Sequence, residues 1–285
     1  MVDSTYTALV LIVDRSGSMD NISKQTQDAL EELVNGQKEE PGKLTIDTVF
    51  FDNHYDERAH FVDPKLTKLD LAIRPGGMTA LYDAIGNKVT SFGEALEALP
   101  EDKRPGKVIV VIATDGMENS SHKYNADAVA TLIKNQKEEY DWKFTFIAAN
   151  QDAVLTAQTL NINSEDAITF SANNAGTQSV LRSVSNYIST ARVGGQASYT
   201  NQDRLAALSV PQDPSVNPLG SNITPTSSRG GGAAASHSPR PYTDPVSGEL
   251  VCKPEDILAK PLKPAGVAVK KVTGKGKGKS PKAVK

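Results

Sequence analysis

The chain has 285 residues, enough for one sizeable domain plus an appendage, and its formal net charge of -3 hides an uneven distribution. From residue 251 onward ten lysines face only Glu255 and Asp256, so that stretch carries about +8 and the remainder about -11, the pattern of an acidic folded body with a basic tail. The single Cys252 excludes an intrachain disulfide. The first residues show no basic n-region, and the apolar run at 8–13 is far shorter than the roughly 18 residues of a membrane span. A cytoplasmic location is the expectation. The N-x-S/T triplets at Asn21, Asn119 and Asn222 then read as chance matches, because glycosylation requires secretion.

In chain order, ALVLIVD ends a first strand at Asp14, and residues 22–40 carry Ile22, Ala29, Leu30, Leu33 and Val34 on one helical stripe. KLTIDTVFFD ends a second strand at Asp52, with AHFV near Phe61 as a short edge strand. A helix over 80–99 presents Leu81, Ala84, Ile85, Val89, Phe92, Leu96 and Leu99. KVIVVIATD ends at Asp115, a helix follows over 125–140, and WKFTFIAAN ends at Asn150 with Trp142 as a core residue at its start. A weaker strand at 167–171 and a helix over 177–191 complete the series. The strands are short and almost continuously apolar, as strands covered on both faces are. Their alternation with helices predicts an α/β fold, a mostly parallel sheet with helices on both faces. Ligands of such sheets bind beyond the carboxyl ends of the strands.

Composition changes after Leu208. Residues 1–208 read as the folded domain, 209–248 as a Pro/Gly/Ser-rich linker, and 249–285 as a Lys-rich tail. Linker and tail hold too little apolar content to offset the entropy of ordering, so disorder is the expectation. Within the tail, SGELVCKPEDILAK stands out as a candidate turn of helix or docking motif. The lysines suit contact with nucleic acid or another polyanion, or else form a solvated extension; no aromatics interleave them as a stacking platform for single strands requires.

The chemistry concentrates where strands end. Asp14-Arg15-Ser16-Gly17-Ser18 leaves the first strand with a carboxylate and two hydroxyls alternating towards one side. Gly76-Gly77-Met78-Thr79 places one hydroxyl at the mouth of a helix, and Thr114-Asp115-Gly116 a carboxylate at the end of the third long strand. Asp14, Ser16, Ser18, Thr79 and Asp115 therefore converge on one edge as hard oxygen donors, suited to Mg²⁺ or Mn²⁺ with an open position for an outside oxygen. Each piece alone is an ordinary turn or cap; the conjunction in order carries the reading.

These five residues resemble the complete metal-ion-dependent adhesion site (MIDAS) of von Willebrand factor A domains, and the resemblance covers about residues 6–195. It implies a Rossmann-like sheet with one antiparallel edge strand. It implies that Ser16, Ser18 and Thr79 bind metal through their hydroxyls while Asp14 and Asp115 act mainly through waters and hydrogen bonds. It also implies that an Asp or Glu of a protein partner takes the open position. GGMTALYDAIG, TDGMENSS and FIAANQDA, with Phe51-Asp52 and the run FSANNAGTQSVLRSVSNYIS, are similar to stand-alone A-domain proteins of bacteria and phages, which places a phage-encoded chain in its host's cytoplasm.

Catalysis is not expected. The Asp-x-Asp pair of phosphoryl-transfer aspartates is absent because Ser16 holds the second position, no Gly-x-Ser-x-Gly elbow surrounds a serine here, and Thr273 replaces the first glycine of a phosphate loop at GKGKGKS. The expected function is a non-enzymatic, metal-dependent protein-binding module. The alternative is a structural or nucleic-acid-associated protein acting through its tail, and an adaptor to a ring ATPase is a third role open to such domains. Arg15 and Met19 are expected on the rim, exposed to a partner. Glu118 and Asn119 border the site, either tuning its charge or capping a helix at Asn125; His54, His60 and His122 read as surface or turn residues, and Asp83 as a local cap.

Overall fold

The structure is a computed structural model, which describes residues 2–149 and 152–208. The predicted linker 209–248 and tail 249–285, with Cys252 and the Asn222 triplet, lie outside the described residues, as does Asn150 at the end of the fourth predicted strand. The described chain forms one six-stranded sheet in the order β3-β2-β1-β4-β5-β6. Its strands are β1 (Asp3–Asp14), β2 (Lys43–Phe51), β3 (Tyr55–Val62), β4 (Pro105–Thr114), β5 (Lys143–Ala149) and β6 (Ala167–Phe170). All neighbours pair in parallel except β3, which runs antiparallel to β2 at one edge. Six helices complete it: α1 (Ser23–Glu39), α2 (Leu81–Ala98), α3 (Ala126–Tyr140), α4 (Ala153–Thr159), α5 (Asn174–Arg192) and α6 (Asn201–Ala207). Among the described residues no helix is long and apolar enough to cross a membrane.

The twofold side-chain period of a strand divides the core in two. Leu9, Leu11 and Val13 of β1 face Leu30, Leu33, Val184 and Ile188 of α1 and α5. Ala8, Val10 and Ile12 face the other way, against Ile85, Val89, Val129, Ile133 and Ala157 of α2, α3 and α4. This is why the strands read as continuous apolar runs. Trp142 precedes β5, is buried, and packs edge-on against Phe92 at 5.6 Å. Strand order reverses between β1 and β4, the switch point where helices depart to opposite faces and leave a crevice at the carboxyl edge.

Two features differ from the sequence reading. The edge strand extends over Tyr55–Val62 rather than a few residues near Phe61, and only Ala59 in it is buried, so it has no apolar alternation to betray it. Besides its backbone pairing with β2, charged side chains fasten it. Asp47 of β2 is fully buried; its Oδ1 lies 2.6 Å from Lys88 Nζ of α2 and its Oδ2 accepts the Phe61 N–H at 2.9 Å. Lys88 Nζ also lies 2.6 Å from Glu57 of β3, and His60 Nδ1 lies 2.8 Å from Asp47. Asp47, Glu57 and His60 have the make-up of a metal site. The Lys88 ammonium, itself buried, already stands between the two carboxylates and supplies the positive charge there. Second, the short helices α4 and α6, seven residues each, carry too little periodicity to be read.

Lys88→Met leaves Asp47 buried without its ammonium partner, with His60 and the Phe61 N–H beside it, so it should cost about 3–5 kcal/mol in urea unfolding. Adding Asp47→Asn to that variant should recover a large part of the loss, and equal stability of the single and double variants would refute the ion-pair account.

Candidate metal centre

The five residues singled out from the sequence come together at the carboxyl edge, over the crevice between β1 and β4. Asp14 ends β1 with no exposed surface; its Oδ1 accepts the Ser16 N–H at 2.6 Å and its Oδ2 the Thr114 hydroxyl at 2.6 Å. Ser16 Oγ and Ser18 Oγ lie 3.1 Å apart, and Ser18 Oγ donates to Asp115 Oδ1 at 2.7 Å. Thr79 joins them across Gly116. A methyl placed on Gly116 would lie 2.8 Å from Thr79 Oγ1, 3.4 Å from Ser18 Oγ and 3.6 Å from Ser16 Oγ, so three hydroxyls surround one point that only a missing side chain keeps open.

Backbone bonds between loops set this convergence. Arg15 N–H donates to Phe51 O at 2.7 Å, Gly76 N–H to Arg15 O at 2.9 Å, Gly17 N–H to Gly77 O at 3.2 Å and Ala80 N–H to Asp52 O at 3.0 Å. Gly77 has a φ of 72°, the left-handed region that favours glycine, and a Cβ there would also displace the Asn53 carboxamide 2.1 Å away.

The loop after Asp115 is fastened to the start of α2. Asn119 and Thr79 bond reciprocally: Asn119 N–H donates to Thr79 O at 3.0 Å and Thr79 N–H to Asn119 Oδ1 at 2.9 Å. Glu118 accepts the Tyr82 N–H at 2.9 Å, the Ser120 and Ser121 N–H groups at 2.8 and 2.7 Å, and the Ser121 hydroxyl at 2.7 Å. Asp83 answers from the helix, accepting N–H groups from His122, Lys123 and Tyr124. Glu118 and Asn119 therefore satisfy the open N–H groups at the mouth of α2 rather than those of α3, whose cap is Asn125 accepting from Ala128 N–H. The cap at Asn125 lies where the sequence suggests, but the service of Glu118 to α2 escapes a local reading because its partner lies 36 positions away.

The rim also differs from expectation. Met19 is buried in the core with Leu30 and Leu181, because the 3-10 turn Gly17–Asn21 rolls it inward. Arg15 points away from Asp14, its guanidinium 3.2 Å from Asp52 and 2.9 Å from Asp56. The exposed apolar side chains beside the cluster are instead Met78, 54% exposed, and Met117, 75% exposed. His54, His60 and His122 lie on the surface as expected, His54 bonded to Asp52 and His60 to Asp47.

Among the described residues the cluster lacks a counter-charge. Burial pushes the Asp14 carboxyl up to about 6 against the pull of the Thr114 and Ser16 hydrogen bonds, and the nearby Asp115 pushes it the same way. Burial likewise raises Asp115, opposed by the Ser18 hydroxyl. No basic side chain among the described residues contributes to holding either carboxylate down. Three hydroxyls and two carboxylates around an open point are the donor set of a hard divalent cation, and the residues present fit one.

No protein-family model matches the chain, and no curated protein does. Among solved structures it is similar to proximal thread matrix protein 1 from the mussel byssus, at 13% identity and a TM-score of 0.47, over 66% of this chain and 47% of that one. The form of that protein with a zinc-occupied MIDAS motif gives 15% identity and a TM-score of 0.47 over the same shares, 66% and 47%. A von Willebrand factor type A structure from Catenulispora acidiphila gives 15% and 0.43 over 64% of this chain and 42% of that one. The chain spans just under half the length of the byssus protein.

Removing the Glu118 carboxylate should loosen the Thr79 loop. Glu118→Ala is expected to cost about 2–3 kcal/mol of stability and to speed amide exchange at Tyr82 and Ser121. Unchanged exchange at both amides would show that Glu118 does not fasten the loop.

Proposed function

We propose that this chain is a von Willebrand factor A-type module that binds a protein partner through a divalent cation, Mg²⁺ or Mn²⁺, and catalyses no reaction. The observation that carries the reading is the convergence of Ser16, Ser18 and Thr79 hydroxyls around the space at Gly116, beside two raised carboxylates with no counter-charge among the described residues. A cation bound here supplies the missing positive charge and a coordination place for an outside oxygen.

The protein's residues divide the work. Ser16, Ser18 and Thr79 present neutral oxygens, which leave the cation more of its charge for a partner's Asp or Glu than carboxylate ligands alone would. Asp14 and Asp115 hold that shell in place: Asp14 fixes the Ser16 amide, and Asp115 accepts from the Ser18 hydroxyl. Asn119 anchors Thr79 from behind. One charged contact in a partly dry mouth gives a small interface affinity and specificity that area alone does not provide. We read the site as one for a protein partner in the cytoplasm.

Capture of partners from a cell extract with Mg²⁺ and with EDTA tests the reading. Ser16→Ala and Thr79→Ala should abolish the Mg²⁺-dependent catch while leaving the circular dichroism spectrum and melting unchanged. Gly116→Ala should do the same by filling the open point, with a loss of metal affinity of about 10–100-fold in calorimetry. An Asp14→Ala variant that captured partners as well as the wild type would defeat the proposal.

A further inference from the structure

The chain leaves its described body on the edge that carries the hydroxyl cluster. Pairing of β4, β5 and β6 sets Thr114, Ala148 and Thr169 in one row across the sheet, so Asp115 and Phe170 lie one step beyond and Ser171 the next. Ser171 fastens the end of α6: its N–H donates to Ala207 O at 3.0 Å and its hydroxyl to Leu208 O at 3.0 Å. Two strand spacings separate β4 from β6, so the chain departs at Leu208 roughly 10–15 Å from Asp115.

Forty residues, 209–248, then lead to Glu249-Leu250-Val251 and, four positions on, Glu255-Asp256-Ile257-Leu258. Both are carboxylates followed directly by apolar side chains. Forty residues have a maximum reach of roughly 130–145 Å, far more than the departure point requires. The site offers a matching surface, since the exposed Met78 precedes Thr79 and the exposed Met117 follows Gly116. Net charge favours the encounter as well, about -11 before residue 251 against about +8 after it.

We propose that residues 249–258 dock in cis on the carboxyl edge of their own chain, a carboxylate of Glu249, Glu255 or Asp256 completing the cation's shell and the neighbouring apolar side chains covering Met78 and Met117. The proposal rests on the reading of the cluster as a metal site. Tethering puts the segment at an effective concentration on the order of millimolar, so an outside partner binds only by displacing it. The chain thereby sets its own threshold for partner capture, and the partner class is a protein that presents an acid next to an apolar side chain.

The test uses the full chain and a full-chain variant carrying Glu249→Gln, Glu255→Gln and Asp256→Asn. The probe is a fluorescent peptide of residues 247–260, followed by polarisation in Mg²⁺ and in EDTA. In Mg²⁺ the peptide should bind the variant at least about tenfold more tightly than the wild type, and in EDTA it should bind neither. Equal Mg²⁺-dependent binding to both chains, or binding to neither, overturns self-docking. Mg²⁺-dependent dimers of the wild type that the variant fails to form overturn its cis form. A parallel titration of Mn²⁺, read as loss of the free-ion paramagnetic resonance signal, separates the two readings. Normal Mn²⁺ uptake with no peptide binding sinks self-docking alone, and no uptake by either chain sinks the metal site beneath it.

Discussion

A carboxylate held out of water with no positive charge beside it is the constraint around which this protein is arranged. Asp14 ends the central strand fully buried, with Asp115 close by and, among the described residues, no basic side chain drawing either carboxyl down. Isolated ionised carboxylates in such surroundings are costly and protonate unless a cation is supplied. Elsewhere in the same domain the chain solves this problem internally, since Asp47 is buried to the same degree and Lys88 lies 2.6 Å away. At Asp14 the neighbouring cation, Arg15, is already engaged by Asp52 and Asp56. The position is thereby left to hydroxyls, and a cation from solution is the natural complement.

The fold makes that arrangement affordable in entropy because the loops are fixed before any ligand arrives. Parallel strands bring the ends of β1 and β4 side by side, and backbone bonds from Arg15, Gly17, Gly76 and Ala80 lock the first two loops and the Asp52 turn together. Glu118, Asn119 and Asp83 bind the third loop to the mouth of α2 with five hydrogen bonds to backbone N–H groups, and Glu118 braces the loop itself with two more. Preorganised donors cost little reorganisation when a partner binds, which is how one coordination contact can dominate a small interface.

Much of this was readable from residues alone, for a physical reason. Strands buried on both faces have to be apolar throughout, and a donor set for a hard cation has to be built from a few residue types at strand ends, so Asp14, Ser16, Ser18, Thr79 and Asp115 stand out together. What escaped depends on partners distant in sequence. Met19 sits in a polar loop and turns inward only because α1 and α5 lie beneath it. Arg15 is withdrawn by acids about forty positions on, and Glu118 caps a helix that precedes it by about as much. The edge strand Tyr55–Val62 is fastened by Lys88 from another helix, so no local pattern announces it.

Anomalous diffraction from crystals soaked in Mn²⁺ bears on the central claim most directly, because it shows where the ion goes. The account predicts a single strong peak among the hydroxyl oxygens of Ser16, Ser18 and Thr79. A peak at Asp47, Glu57 and His60 instead, with the hydroxyl cluster empty, would contradict it.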